Sequence, residues 1–164
     1  MCKVVYFVAD RRLPDVVSPK SRVGVQGMDP LPTFSVRAFD GPERERVCAI
    51  AGGGYVHIAS SWQGCGCGFG YESSHEFDAS LEGAPADVRA TAAEAREARK
   101  ASVASLADYL EQVVCDGPVT VYVAYAGGEG RRPLVREQQV LPSHFGGDSF
   151  WFQEDELYDV TGTT

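Results

Sequence analysis

Apolar residues recur in short runs that predict a β-sheet. The run KVVYFVA at 3–9 is almost continuously apolar and rich in β-branched and aromatic residues, which predicts a central strand covered on both faces. TFSVRAF at 33–39, YVHIASSW at 55–62 and VTVYVAY at 119–125 alternate between apolar and polar positions, as half-buried strands do. SFWF and ELYDV predict two short final strands.

Turn residues between the runs predict how the strands pair. RVCAIA at 46–51 reads as a strand, and the three glycines after it predict an antiparallel hairpin with 55–62. AGGEGRRP predicts a second hairpin, between 119–125 and LVREQQVL at 134–141. If 55–62 and 119–125 share a sheet, a right-handed crossover would make them parallel.

Residues 86–115 predict one long helix. Pro85 suits its first turn, and Gly117 followed by Pro118 ends it. Apolar side chains recur at steps of three and four along one stripe, with a gap at Arg99 or its neighbour Ala98. The members of the stripe are Val88, Ala92, Ala95, Val103, Leu106, Leu110 and Val113.

Together these elements predict one α+β domain over 1–164, a mixed β-sheet with one long helix packed across it. A chain of 164 residues is long enough to bury a core without metals or disulfides as staples. Residues 10–32 contain four prolines and predict a long irregular loop, in which RVGVQG at 22–27 could add a short strand.

The charge pattern narrows the range of partners. The net charge is −8, and no Lys or Arg occurs between Arg46 and Arg89. From Asp148 onward, every charged residue of the chain is acidic. Phosphate backbones are bound through Lys and Arg, so nucleic acid is not an expected partner. The acids of the tail, together with the aromatic residues 150–152, predict instead a surface for a basic protein, as in a non-catalytic interaction domain.

The cysteine content and the lack of a long apolar segment predict the cellular compartment of the protein. No segment is long and apolar enough to predict a bilayer span, and the first residues lack a secretory pattern. Five cysteines without an export signal predict reduced thiols and a cytoplasmic location. The phosphate-binding motifs G-x-G-x-x-G and G-x-x-x-x-G-K-[ST] are absent, as are common hydrolase motifs, so no nucleotide cofactor is expected.

The stretch WQGCGCGFG at 62–70 is the most distinctive motif, and it admits three interpretations. In the first, residues 61–71 continue the strand, with Cys65, Cys67, Phe69 and Tyr71 on one face and the glycines bare on the other. In the second, the two thiols bind a soft metal ion. In the third, one cysteine is the nucleophile of a thiol-dependent enzyme, with a histidine as its base.

The metal interpretation needs further donors, because a zinc site takes four ligands. Cys65 and Cys67 would be joined by His57, His75 or Cys48, and zinc is the cofactor that such a set suggests. The acids around the motif favour a cation there. One residue between the two cysteines is fewer than structural zinc sites ordinarily have.

MCKVVYFVAD at the start and YVHIASSWQGCGCGF around the motif resemble a group of small bacterial proteins of unassigned function, which share a Gly-Cys-Gly-Cys-Gly-Phe stretch. The resemblance runs through most of the chain. It implies a bacterial origin and carries no activity, so soft-metal binding is the principal functional prediction.

Overall fold

The computed structural model describes most of the chain, namely residues 2–20, 22, 29–69, 81–128, 130, 135–146, 150, 152 and 155–162. Seven strands form one sheet: β1 (Lys3–Ala9), β2 (Val16–Val17), β3 (Phe34–Ala38), β4 (Tyr55–Ser61), β5 (Val119–Tyr125), β6 (Val135–Val140) and β7 (Glu156–Val160). The helices are α1 (Arg44–Ala51) and α2 (Ala86–Val113), and a short 3-10 turn over Val114–Asp116 extends α2.

Strand β1 lies at the centre of the sheet, as its apolar sequence predicts. The order is β2-β3-β4-β1-β5-β7-β6. Val5 lies opposite Ala59 of β4 on one side and Val123 of β5 on the other, and both pairs are antiparallel. Strands β4 and β5 therefore run in the same direction with β1 between them, in agreement with the predicted parallel orientation.

The two helices cover opposite faces of the sheet, because successive side chains of a strand alternate between the faces. Val5 and Phe7 of β1 belong to the larger core cluster, which includes Leu106 and Leu110 of α2. Tyr6 and Val8 belong to a second cluster with Val47 and Ala51 of α1. The predicted fold class, a mixed sheet with one long helix packed across it, is confirmed.

The prediction of a strand over 46–51 is wrong, because this segment lies within α1. Val47 and Ala51 are one helical turn apart, and both are buried against the sheet. The first of the three glycines, Gly52, has φ 97° and ends the helix, and its N–H donates to the carbonyl oxygen of Cys48. These glycines therefore connect a helix to β4 rather than two strands of a hairpin.

The second predicted hairpin is also wrong, because β7 lies between β5 and β6. Strand β7 pairs antiparallel with β5, and β6 pairs parallel with β7 at the edge of the sheet. Arg136 of β6 bonds through Nε and Nη2 to both carboxylate oxygens of Asp159 of β7, at 2.7 and 2.8 Å. Strands β5 and β7 pair although β6 lies between them in sequence. No short turn joins them, so the sequence between them contains no hairpin signature.

The described residues of 10–32, namely 10–20, 22 and 29–32, are less irregular than their prolines predict. Strand β2 pairs with β3, and Lys20 forms an isolated bridge with Pro32. The strand suggested by RVGVQG falls largely outside the described residues. Phe150 and Phe152 of SFWF are buried but lie in no strand, and the other two residues of that run are also outside the described part. In the described residues, no helix has the length and apolar character that crossing a membrane requires.

Candidate metal centre

The Gly/Cys motif forms a tight loop at the end of β4. The N–H of Gly64 donates to the carbonyl of Ser61 at 2.8 Å, and the N–H of Ser61 donates to the carbonyl of Cys65 at 3.0 Å. A 3-10 turn over Gly66–Gly68 follows. The interpretation in which 61–71 continues as a strand is therefore wrong, because the chain folds back on Ser61.

The buried hydroxyl of Ser61 holds this loop together. Its Oγ donates to the carbonyl oxygen of Cys65 at 2.7 Å and accepts the N–H of Gly68 at 3.1 Å. It also lies 3.3 Å from the N–H of Gln63. One side chain thus fixes the backbone at Cys65 and immediately after Cys67.

Two glycines of the loop are needed for close packing. A Cβ at Gly66 would lie 2.7 Å from Cγ2 of Val5 and 3.0 Å from the carbonyl oxygen of Lys3. A Cβ at Gly68 would lie 2.3 Å from Oγ of Ser61. Phe69, which follows, is buried in the larger core cluster and anchors the end of the loop. The loop therefore lies directly against the first residues of β1.

This packing assembles three thiols. The Sγ atoms of Cys2, Cys65 and Cys67 all lie within 4.8 Å of one another. Cys2 is exposed and the other two are half-buried. The backbone N–H of Lys3 donates to Sγ of Cys67 at 3.1 Å, which joins the residue after Cys2 to the loop. Soft thiolate donors at such separations suit zinc, copper(I) and iron–sulfur centres.

The protonation of the thiols is uneven. A hydrogen bond from the Cys65 thiol lowers the pKa of Cys67 to about 6; burial opposes this shift, while the Lys3 N–H, the Lys3 ammonium group and the Cys2 thiol favour it. The same contact with Cys67, together with burial, raises the pKa of Cys65. The pair therefore holds one thiolate near neutral pH, and metal binding would have to displace the remaining thiol protons.

Cys65 and Cys67 are thus brought together, while the other predicted ligands lie elsewhere or outside the described residues. His57 is buried in β4 on the α2 side of the sheet, where its Nε2 accepts the N–H of Leu13 at 3.2 Å. Cys48 lies on α1, with its Sγ 3.5 Å from the carbonyl oxygen of Gly54. His75 falls outside the described residues.

Cys2 is the member of the cluster that the sequence interpretation missed. The available signal was the antiparallel pairing of β1 with β4, which brings the start of β1 beside the end of β4. Continuing the register from Val5 and Ala59 places Cys2 level with Trp62, directly before the loop. The prediction instead paired β4 with 46–51 and so searched for ligands there.

The acidic tail differs from the surface that its sequence suggests. Asp155 and Glu156 are only 2% and 7% exposed, and their carboxylates accept hydrogen bonds from the hydroxyls of Tyr122 and Tyr158 respectively. Asp159 bonds to Arg136. Glu154 lies outside the described residues. The carboxylates of Asp155 and Glu156 are therefore not available on the surface to a basic partner. The prediction of such a partner remains untested.

Comparison with models of protein families, with curated proteins and with solved structures found no match to this chain. The resemblance of the motif to small bacterial proteins therefore stays a prediction. The three-thiol cluster is accordingly the feature from which a function is argued.

Proposed function

We propose that the protein binds a thiophilic metal ion through Cys2, Cys65 and Cys67. The observation that carries this proposal is the mutual approach of the three Sγ atoms to within 4.8 Å. Cys2 comes from the start of β1 and the other two from the loop after β4, so the set is assembled by the fold rather than by local sequence. The Ser61 hydrogen bonds and the packing of Gly66 against β1 hold the loop in place.

Zinc is the first ion to consider, as the paired cysteines suggest, and it would need a fourth donor such as water or His75. All five cysteines are free thiols, and thiol ligands stay available only in a reducing compartment. We therefore propose a cytoplasmic location. The role would be a structural or regulatory metal site.

The test is to measure the metal content of protein purified under reducing conditions without added metal, followed by titration of the metal-free protein with Co²⁺ and Cd²⁺. We expect about one equivalent of bound metal and thiolate-to-metal absorption bands in the ultraviolet. Separate Cys2→Ser, Cys65→Ser and Cys67→Ser variants should each lose most of the affinity.

Cys48→Ser and Cys115→Ser are the matched controls, because these cysteines lie outside the cluster. They should bind as the unmodified protein does. Absence of any thiolate band in the unmodified protein, or equal binding by the cluster variants and the two controls, would contradict the proposal. Circular dichroism on every variant separates loss of ligand from loss of fold.

A further inference from the structure

The described surroundings of the three thiols contain no fourth metal donor of the usual kinds. The only group of His, Cys, Asp or Glu ligand atoms within such distances, among the described residues, is Cys2, Cys65 and Cys67. The hydroxyl of Ser61 already donates to the carbonyl of Cys65. Of the other predicted donors in the described part, His57 is bonded to Leu13, and Cys48 is on the helix of the opposite face.

Coordination number distinguishes the soft ions that such a set could bind. Zinc in structural sites is almost always bound by four protein ligands in a tetrahedron. Copper(I) is a soft monovalent ion that two or three thiolates satisfy, and thiolate donors select for it. We infer that the cluster is a three-coordinate site that prefers copper(I) to zinc. This inference rests on the proposed function, because it names the ion for the same three thiols.

The contacts around the ligands suit a thiolate set of this kind. The N–H of Lys3 donates to Sγ of Cys67 at 3.1 Å and would withdraw charge from one of three negatively charged ligands. The glycine at 66 keeps the loop against Val5, so an apolar side chain lies beneath the site. The side of Cys2 is open, since this residue is exposed.

The exposed side chain of Cys2 gives copper a route of entry by ligand exchange. A copper(I) complex of two small-molecule thiolates would bond first to Cys2 and then to Cys65 and Cys67. As three Cu–S bonds form, the two departing thiolates take up the two protons that the protein thiols lose, because one of the three protein ligands is already a thiolate. Copper stays in the monovalent state throughout, so the exchange requires neither oxidant nor reductant.

The experiment is a competition on the full-length, metal-free protein under anaerobic conditions. Copper(I) is titrated against a chromogenic copper(I) chelator, zinc against a chromogenic zinc chelator, and then both ions are added together. We expect one equivalent of copper(I) to displace bound zinc, with X-ray absorption showing only sulfur neighbours. Cys2→Ser should weaken copper(I) binding by more than the roughly 10- to 100-fold that loss of an outer-shell contact causes.

His75→Ala is the decisive second variant, because His75 is the predicted fourth donor that the structure does not describe. Unchanged copper(I) affinity in this variant supports a three-coordinate site. Retention of zinc against copper(I), or a nitrogen neighbour in the absorption data that disappears in His75→Ala, would overturn the inference and leave the proposed function standing. Failure to bind either ion would overturn both.

Discussion

At the scale of single residues, Ser61 determines the geometry of the thiol loop, although nothing in the neighbouring sequence indicates this role. Its hydroxyl is a donor to one loop carbonyl and an acceptor for a loop N–H, and the residue is 1% exposed. Alternation along YVHIASSW predicts which face Ser61 occupies. The loop that folds back over it could not be predicted, because its hydrogen bonds depend on the turn at Gly64.

Replacement of Ser61 by alanine should therefore loosen the site. The buried N–H of Gly68 would lose its partner, and the carbonyl of Cys65 would keep only the backbone N–H of Ser61, which together cost about 1–3 kcal/mol of the free energy of unfolding. We expect weaker Cd²⁺ binding as well, because Cys65 and Cys67 would be less well ordered. Urea unfolding and metal titration measure the two effects.

Ser60→Ala is the control, since Ser60 is the neighbouring serine of β4 and points to the opposite face of the sheet. It should change the free energy of unfolding little and leave Cd²⁺ binding intact. Equal effects of the two replacements would show that the loop does not depend on the Ser61 hydroxyl.

At the scale of elements, the site depends on close contact between the loop and β1. Alanine at Gly66 would place a methyl group against Val5 and the backbone of Lys3, neither of which can move without disturbing the central strand. Overpacking of this kind costs about 1–3 kcal/mol, and displacement of the loop would separate Cys2 from Cys65 and Cys67. Thermal unfolding and Cd²⁺ titration of Gly66→Ala should both show a loss.

Gly162→Ala serves as the control, because a Cβ there meets its nearest atom, on Val114, at an ordinary 3.6 Å. We expect its unfolding temperature and metal affinity to remain close to those of the unmodified protein. A Gly66→Ala variant that matched this control would mean that the loop is not tightly packed on β1.

The sequence patterns predicted where the helices and strands lie better than they predicted which strands pair with each other. The apolar run of β1 and the alternation of β4 and β5 reflect burial within one element, and these strands and α2 are present. The predicted stripe of α2 is buried only in its C-terminal half, at Leu106, Leu110 and Val113, whereas Val88 is exposed. The segment 46–51 was assigned wrongly because a short apolar run suits a buried strand and a short helix equally well. The pairing of β6 with β7, like the approach of Cys2 to the loop, depends on contacts distant in sequence that local periodicity does not encode.

At the scale of the whole molecule, His57 links the sheet to the segment after β1. Its Nε2 accepts the N–H of Leu13, so the neutral ring carries its proton on Nδ1, and the residue is 1% exposed. Burial lowers the pKa of His57 below 6.5, although the carboxylate of Asp15 opposes the shift and Arg12 adds to it. The folded protein therefore favours the neutral ring.

The stability of the fold should accordingly decrease in mild acid. As the pH falls below 6.5, the unfolded chain takes up a proton on His57 that the folded chain resists, until the pH reaches the lowered pKa of the folded state. Above 6.5 this contribution is fully present. Urea unfolding at a series of pH values measures it.

His57→Leu should flatten this dependence, and His144→Gln should preserve it, because His144 is an exposed residue of a 3-10 turn. A decline of the same steepness in His57→Leu and in the unmodified protein would assign the pH dependence to other groups.

The separation of Cys2 from the loop along the chain has a further consequence. The residue after it, Lys3, bonds to Cys67 across 64 positions of sequence. An ion bonded to all three thiols is therefore a crosslink that closes a long ring around β1, β2, β3, α1 and β4, and it stabilises the folded chain because it binds only the arrangement in which the ring is closed. The ring can close only after β1 and β4 have paired. Metal binding would therefore indicate that the centre of the sheet has folded. A bound ion would also slow the detachment of β1 from the sheet during unfolding.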